Sequence, residues 1–207
     1  MKKVILQKHK RNPNFIGSWL IEPISMCDEL IGYFENHYGG HKAGVIGEGK
    51  DLTIKDSIDL TITPREIESA DSPLLKQYMN NLYAFYQDYT RDWPFLREFA
   101  TELHIGEFNI QKYNRGQHFQ KLHTERMGLN TLHRIFAWMT YLNDVDESDG
   151  GATVFSHYDL KIQPMKGLTL IWPAEWTHAH KGQILNASSK YILTGWMHFP
   201  HTMSLKE

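Results

Sequence analysis

Four residues in the second half of the chain have the types and the spacing to supply the three ligands of a metal site. His123 and Glu125 stand two positions apart, and two further histidines, His178 and His180, follow far downstream. Residues i and i+2 of a strand point to the same side, so His123 and Glu125 can face one cavity. Two imidazoles and one carboxylate on one side of an ion suit Fe(II) and leave its other positions open for small ligands. The pattern therefore predicts a metal centre with three protein ligands, although a His-x-Glu triplet alone is common by chance.

Either His178 or His180 could be the third ligand, because they also stand two positions apart and share a side. Lys190 follows and opens an apolar run that is typical of a buried strand. A buried, unpaired ammonium is costly, and the carboxylate of a bound ligand would supply the missing charge. A solvent-exposed lysine at the start of a strand is the plainer alternative. In combination with the histidines, Lys190 predicts an anion bound beside the metal.

The residues that must position this site form a series of short strands. After Trp93-Pro94, runs of strand-forming residues alternate with Gly, Asn, Asp and Pro. Such spacing indicates an all-β sandwich or barrel of the jelly-roll or cupin kind. The predicted strands lie near 104–113, 117–123, 132–142, 152–155, 159–163, 168–172, 178–185 and 190–199.

The first hundred residues have a different texture. We predict a short strand or an extended entry segment over 14–21, a helix over 26–38 and a second helix that begins at Ser72-Pro73. The second helix carries a wide aromatic stripe, which is typical of a helix packed against a sheet. A strand over 52–62 is predicted to be interrupted at 55–57, a loop that could also fold over the site. The fold class is therefore mainly β with supporting helices, in one domain over 1–207, with helical support over about 1–100 and the β core over about 101–200.

The charge balance and the cysteine content limit the kinds of binding partner and the cellular compartment that we expect. The chain has 207 residues, with 22 Lys+Arg against 24 Asp+Glu and no long basic run, so no nucleic-acid partner is indicated. Its single cysteine, Cys27, allows no intrachain disulfide. No apolar run approaches the length of a membrane span or a signal peptide. We expect a soluble protein of a reducing compartment, the cytoplasm, and leave its oligomeric state open.

These motifs, in this order, resemble the 2-oxoglutarate- and Fe(II)-dependent oxygenases of the prolyl 4-hydroxylase type. The likeness is greatest to the small versions found in bacteria and marine phages, and it covers about residues 100 to 199. It implies a double-stranded β-helix, the jelly-roll core of that family, with N-terminal helices packed on it. The elements that carry the resemblance are residues 113–119, His123-x-Glu125, Arg134, residues 141–143, residues 150–155, Pro164-x-x-Gly167, His180 and Lys190.

The resemblance also implies roles for single residues. His123, Glu125 and His180 would hold Fe(II), with His180 preferred to His178 because the family's distal histidine precedes its basic residue by ten positions. Lys190 would pair with the distal carboxylate of 2-oxoglutarate. The remaining predicted cosubstrate residues are Tyr113, which would donate its hydroxyl to the same carboxylate, and Thr153 and Trp196, which would line the pocket. The implied cofactors are Fe(II), 2-oxoglutarate and O2, and ascorbate stays open as a further one.

The implied reaction is hydroxylation of a C–H bond, with release of succinate and CO2. A prolyl residue in a peptide or protein is the leading candidate substrate, and a free amino acid or another small molecule stays open. One residue departs from the family pattern: Glu125 stands where aspartate is usual, and its longer side chain can still bind a metal. The alternative is a cupin-like metal-binding protein that does not turn over or does not use 2-oxoglutarate. Lys190 and Tyr113 favour the oxygenase, because a simple metal binder needs no carboxylate clamp.

Overall fold

The structure, a computed structural model, describes residues 1–6, 14–45, 49, 51–69 and 72–200. Its helices are α1 (Met26–Asn36), α2 (Pro64–Glu68), α3 (Pro73–Asp92) and α4 (Leu96–Phe99). The strands of the first hundred residues are β1 (Lys2–Lys3), β2 (Gly17–Leu20), β3 (Lys42–Ala43), β4 (Lys55–Asp56) and β5 (Ile58–Ile62). Those that follow are β6 (His104–Ile105), β7 (Phe108–Tyr113), β8 (His118–Phe119), β9 (Arg134–Tyr141), β10 (Thr153–Phe155), β11 (Leu160–Ile162), β12 (Leu168–Pro173), β13 (His180–Gly182) and β14 (Lys190–His198).

The strands form one large antiparallel sheet and two small ones. The large sheet runs in the order β1-β2-β12-β9-β14-β7-β5-β3, and β6 pairs with β14 outside this path. The small sheets are β11-β10-β13 and β4-β8. Strands that are distant in sequence thus become neighbours, as β14 lies between β9 and β7.

Alternation along the strands divides the apolar residues between two cores. On β14, Leu193 and Met197 belong to the core that the large sheet shares with α1 and α3, whereas Ile192 belongs to the core between the sheets. Because successive side chains of a strand point to opposite faces, Lys190 and Trp196 lie on the same face as Ile192. The inner face of the large sheet therefore carries the polar residues of the site.

Helix α3 covers the outer face of the large sheet through its aromatic stripe. Tyr78 and Tyr89 are fully buried there, and the hydroxyl of Tyr78 is hydrogen-bonded to Thr140 on β9 over 2.8 Å. Tyr83 of the same helix is exposed, because the buried face continues through Phe85 instead. None of the helices in the described ranges is long and apolar enough to cross a bilayer.

The fold class is confirmed: the chain is mainly β, with helices packed on the outside of the large sheet. Two local expectations differ from the structure. The first hundred residues are more than helical support: β2 and β5, which lie within the segments predicted over 14–21 and 52–62, pair with β12 and β7 of the large sheet. The predicted loop at 55–57 is wrong, because Lys55 and Asp56 form β4 and pair with Phe119 and His118 on β8.

Candidate active site

The structure brings His123, Glu125 and His180 together on the inner side of the small sheets. His123 and His180 form an antiparallel bridge. The backbone amide of each residue donates to the carbonyl oxygen of the other, over 3.0 and 2.9 Å. The candidate ligand atoms of the three residues all lie within 4.8 Å of one another. This spacing allows one ion to contact all three side chains.

Backbone contacts also fix which nitrogen of each ring faces the centre. Nδ1 of His123 lies 2.8 Å from the carbonyl oxygen of Lys121, and Nδ1 of His180 lies 2.9 Å from that of His178. A carbonyl oxygen only accepts hydrogen bonds, so Nδ1 carries the proton in both rings and Nε2 keeps a free lone pair. Ligand histidines in metal sites are usually oriented in this way. Two imidazole Nε2 atoms and a carboxylate fit Fe(II) by their chemistry.

Glu125 is held at both oxygens and by its backbone. Oε1 lies 3.4 Å from Nε2 of His180, while Oε2 accepts a hydrogen bond of 2.6 Å from the indole N–H of Trp196. Arg134 donates to the carbonyl oxygen of Glu125 over 3.2 Å and lies over the Trp196 ring at 3.6 Å. The longer glutamate side chain is thus fixed by neighbours on β9 and β14.

Electrostatics keep these groups in ligand-competent states. Burial would raise the pKa of Glu125, but the adjacent His180, followed by His123 and the Trp196 N–H, outweighs burial and lowers the pKa to about 2. Burial, followed by the nearby His180, lowers the pKa of His123 to about 4. Glu125 is therefore ionised and His123 neutral at neutral pH.

Aromatic rings form the walls around the two histidines. The ring of Phe119 stacks on His123 with centroids 3.8 Å apart and planes 11° apart. Phe155 and Trp172 flank His180 with centroids at 5.3 and 5.2 Å. Such walls exclude water and hold the imidazoles in place.

His178 lies outside this group, although the sequence left it open as a ligand. Its Nε2 lies 2.8 Å from the carbonyl oxygen of Asn14, and its Nδ1 lies 3.0 Å from Oγ1 of Thr177. Burial lowers its pKa to about 4, so the ring is neutral. Because both ring nitrogens are engaged, His178 holds the N-terminal segment against the loop that precedes β13.

Lys190 is a buried cation without a carboxylate partner among the described residues. Its side chain is almost fully buried, and Nζ donates to the carbonyl oxygen of Gly151 over 2.9 Å. Gly150 and Gly151 have φ angles of 74° and 70°, which favour glycine and turn this carbonyl toward the lysine. Burial lowers the pKa of Lys190 to about 8. An anionic ligand would relieve this desolvation.

Tyr113 and Thr153 also lie on the inner faces. Tyr113 stands directly opposite Lys190 in the pairing of β7 with β14, and the ammonium lies 4.6 Å from its ring centroid. Its hydroxyl donates to Oε1 of Gln111 over 2.8 Å, so donation to another ligand requires this single proton to turn. Thr153 accepts a hydrogen bond of 2.7 Å from the hydroxyl of Tyr141.

The predicted cosubstrate residues thus occupy different ends of the interior. Lys190 and Tyr113 lie together, while Trp196 lies at the metal end through its contact with Glu125. Sequence reasoning missed a buried polar group beside Tyr113, composed of Lys55, Ser57, Asp59 and Gln111. No local signal marked it, because Asp59 and Gln111 alternate with apolar residues as the exposed positions of a strand would.

Comparisons with known proteins agree with this geometry. The model of the 2OG-Fe(II) oxygenase superfamily matches residues 108–198. No curated protein matches the chain by sequence. Solved structures with a similar fold include a viral collagen prolyl hydroxylase from Paramecium Bursaria Chlorella virus-1, at TM-score 0.65 and 17% identity, over 91% of this chain and 98% of that one.

Two further structures are similar over most of their length. A prolyl-4-hydroxylase of Pseudomonas putida has a TM-score of 0.69 and 15% identity, over 91% of this chain and 94% of that one. A prolyl hydroxylase of Trichoplax adhaerens, in complex with a peptide fragment of the hypoxia inducible factor oxygen degradation domain, has a TM-score of 0.69 and 16% identity, over 90% and 84%. At these identities the likeness establishes the fold, a double-stranded β-helix.

The family match covers every residue that the sequence singled out for metal or cosubstrate binding. The superfamily implies Fe(II), 2-oxoglutarate and O2 as the cofactors, and the donor atoms at the centre suit that metal. The core of this chain, residues 108–198, therefore matches the 2OG-Fe(II) oxygenase superfamily, whose members are 2-oxoglutarate-dependent dioxygenases.

Proposed function

We propose that the enzyme hydroxylates a prolyl residue of a peptide or protein, at an iron held by His123, Glu125 and His180. The three similar structures named above are all prolyl hydroxylases, and one of them holds a peptide. The observation that carries the proposal is the convergence of the three ligand atoms within 4.8 Å, on the same interior as the unpaired cation Lys190.

In this proposal Lys190 binds the distal carboxylate of 2-oxoglutarate. The other buried lysine near the centre, Lys55, is already paired with Asp59 over 2.7 Å, so it adds no net charge. Within the described part of the chain, the partners of Lys190 are a neutral carbonyl group and the Tyr113 ring. The dicarboxylate would supply one carboxylate to Lys190 and the other to the metal end. Tyr113 and Thr153 would present hydroxyl groups along this path.

The protein residues bind, orient and exclude water. When bound, iron and 2-oxoglutarate supply the activation of O2, in which one oxygen atom enters the substrate C–H bond and the cosubstrate leaves as succinate and CO2. The Nδ1–H bonds of His123 and His180 to carbonyl groups hold both rings with Nε2 toward the centre. Phe119, Phe155 and Trp172 keep water from the centre.

Exposed apolar side chains near the triad favour a peptide over a free amino acid. Met127 and Leu129 follow Glu125 along the chain and are exposed, as is Trp176 on the loop before β13. The ion pair of Arg126 with Glu175 links the two segments. A single amino acid would leave these side chains in water, whereas residues that flank a target proline could cover them.

The test is turnover with Fe(II), 2-oxoglutarate and O2 on a panel of proline-containing peptides, read by mass. We expect a gain of one oxygen on proline and one succinate for each product. Matched peptides with alanine in place of proline are the control. Succinate release with free amino acids alone, and none with any peptide, would contradict the proposed substrate.

Two further proposals concern the whole chain. Residues 1–207 would form one domain, which is supported by the pairing of β2 and β5 with strands of the second half. A cytoplasmic location is supported by the single cysteine, Cys27, which is buried and free. Fractionation of cells that produce the protein would test the location.

A further inference from the structure

Asp59 is a buried carboxylate on the inner face of β5, and it accepts three hydrogen bonds. Nζ of Lys55 and Oγ of Ser57 donate to it over 2.7 Å each, and Nε2 of Gln111 donates over 3.0 Å. Each of the four side chains belongs to a residue that is at most 7% exposed. The proposed reaction gives none of these groups a direct part.

Stability alone is a weak reason for such a group. Desolvation of two charges largely offsets their attraction, and an apolar pair of similar volume is often neutral or stabilising in place of a buried ion pair. Lys55 and Asp59 are 5% and 7% exposed, so this argument applies to them. The Asp59 carboxylate does determine how its neighbours are oriented, because it can only accept hydrogen bonds and each neighbour must therefore turn a donor toward it.

This orienting effect reaches the predicted cosubstrate residues through two side chains of β7, Gln111 and Tyr113. Asp59 stands opposite Gln111 in the pairing of β5 with β7, and it fixes the NH2 end of the Gln111 amide. The amide oxygen must then face the other way, and there it accepts the hydroxyl proton of Tyr113 over 2.8 Å. Tyr113 in turn stands opposite Lys190. Three hydrogen-bonded or ring contacts thus connect Asp59 to the unpaired cation.

The same carboxylate influences the state of Tyr113. Burial, followed by the negative charge of Asp59, raises the pKa of Tyr113 well above its usual value. The phenol therefore keeps its proton beside the Lys190 ammonium. Lys55 also lies 5.8 Å from the ring centroid of Phe119, which stacks on His123, so the group borders both ends of the interior.

We propose that Asp59 is a positioning residue for 2-oxoglutarate: with Lys55 as its counter-ion, it orients the Gln111 amide, which accepts the Tyr113 hydroxyl proton and thereby holds the Tyr113 ring beside the Lys190 ammonium that binds the cosubstrate carboxylate. The inference rests on the proposed role of Lys190 and Tyr113. By this inference, the hydrogen-bonded series Asp59, Gln111 and Tyr113 affects the affinity for 2-oxoglutarate, although Asp59 contacts neither the metal nor the substrate.

The test replaces the ion pair by apolar residues of similar volume, in the double variant Lys55→Met with Asp59→Leu. The full-length protein is loaded with Mn(II), and 2-oxoglutarate binding is measured by calorimetry without O2. We expect about tenfold weaker 2-oxoglutarate binding, with Mn(II) affinity unchanged, because only the orientation of Gln111 and Tyr113 is lost. Thr61→Val is the matched control, since it removes a hydrogen bond of 2.9 Å to Asn109 on the same two strands.

A double-mutant cycle separates positioning from a general structural effect. In the Tyr113→Phe background, replacement of the ion pair should weaken 2-oxoglutarate binding no further, because the hydroxyl group that Gln111 holds is already absent. Gln111→Met, which keeps the ion pair, should weaken binding as much as Tyr113→Phe and serves if the double variant does not fold.

Wild-type affinity in the folded double variant, or in Gln111→Met, would overturn the inference alone. The inference would also be overturned if replacement of the ion pair lowered 2-oxoglutarate affinity in the Tyr113→Phe background as much as it does in the wild-type protein. Failure of the wild-type protein to bind 2-oxoglutarate would overturn the proposed cosubstrate site and the inference with it.

Discussion

The indole N–H of Trp196 donates a hydrogen bond of 2.6 Å to Oε2 of Glu125, whose other oxygen faces the histidines. The sequence had assigned Trp196 to the cosubstrate pocket. In the structure it orients the carboxylate, leaving Oε1 as the oxygen aimed at His180. Glu125 is thus prepared to offer one oxygen to a metal and to keep the other in a hydrogen bond.

Trp196→Phe should therefore weaken metal binding rather than 2-oxoglutarate binding. Loss of a partner that orients a ligand typically costs 10–100-fold in metal affinity or activity. We expect about a tenfold higher Kd for Fe(II) or Mn(II), measured by anaerobic calorimetry. Trp176→Phe, at an exposed tryptophan, is the control. Unchanged metal affinity with weaker 2-oxoglutarate binding would restore Trp196 to the cosubstrate end.

His180→Ala and His178→Ala should separate metal binding from folding. His180→Ala removes a candidate ligand and should abolish stoichiometric Fe(II) binding while the protein stays folded. His178→Ala removes the contacts with Asn14 and Thr177 and should lower the melting temperature while Fe(II) still binds. Metal titration and thermal melting of the same samples check both. The opposite pattern would mean that the distal ligand is His178.

The strand periodicity allowed the sequence to predict the β core. The predicted strand over 117–123 was too long, because only His118 and Phe119 form β8. His123 forms an isolated bridge with His180 and Glu125 lies in a bend, so their common side does not result from the strand period of two. The choice between His178 and His180 came only from a family resemblance. It could not come from the pattern, because the contacts that engage His178 involve Asn14, more than 160 positions away in sequence.

The buried group around Asp59 was beyond such reasoning for a related physical reason. Lys55, Asp56 and Ser57 read as a polar interruption, which is the usual sign of a loop. The charge of Lys55 is tolerated inside because Asp59 lies one strand away and Gln111 lies opposite it. Long-range pairing of β5 with β7 decides this arrangement, and no local signal reports it.

Lys190→Met should remove 2-oxoglutarate binding and stabilise the free protein at neutral pH. Burial holds the pKa of Lys190 at about 8, below the value of 10.5 in an unfolded chain, so the protonated form favours unfolding. The difference corresponds to about 3 kcal/mol as an upper bound. Chemical denaturation and calorimetry would measure both effects. Lys112→Met, at a partly exposed lysine paired with Glu35, is the control, and retained 2-oxoglutarate affinity in Lys190→Met would contradict the assignment.

The affinity for 2-oxoglutarate should fall as pH rises through about 8. Below that pH Lys190 is an ammonium in the free protein, and above it the free protein must first take up a proton to pair with the dicarboxylate. Binding should therefore weaken by up to tenfold per pH unit above 8, until the raised pKa of the complex is reached. The free energy of unfolding should move the other way and increase between pH 8 and about 10.4. Calorimetry of the Mn(II) protein from pH 7 to 9.5 measures the first effect, and Lys190→Arg should remove the dependence if it still binds.

Glu125→Asp restores the residue that is usual in the resembling family, yet we expect it to weaken the site. The carboxylate would withdraw by one methylene group, while Trp196 and Arg134 stay where β14 and β9 hold them. Aspartate could then reach the indole N–H or the shared ion, but not both. We expect at least tenfold weaker Fe(II) binding and slower succinate release, measured by anaerobic titration and by turnover. Glu125→Gln, which keeps the length and removes the charge, is the comparison. Equal or tighter metal binding in Glu125→Asp would mean that the glutamate is not positioned by its neighbours.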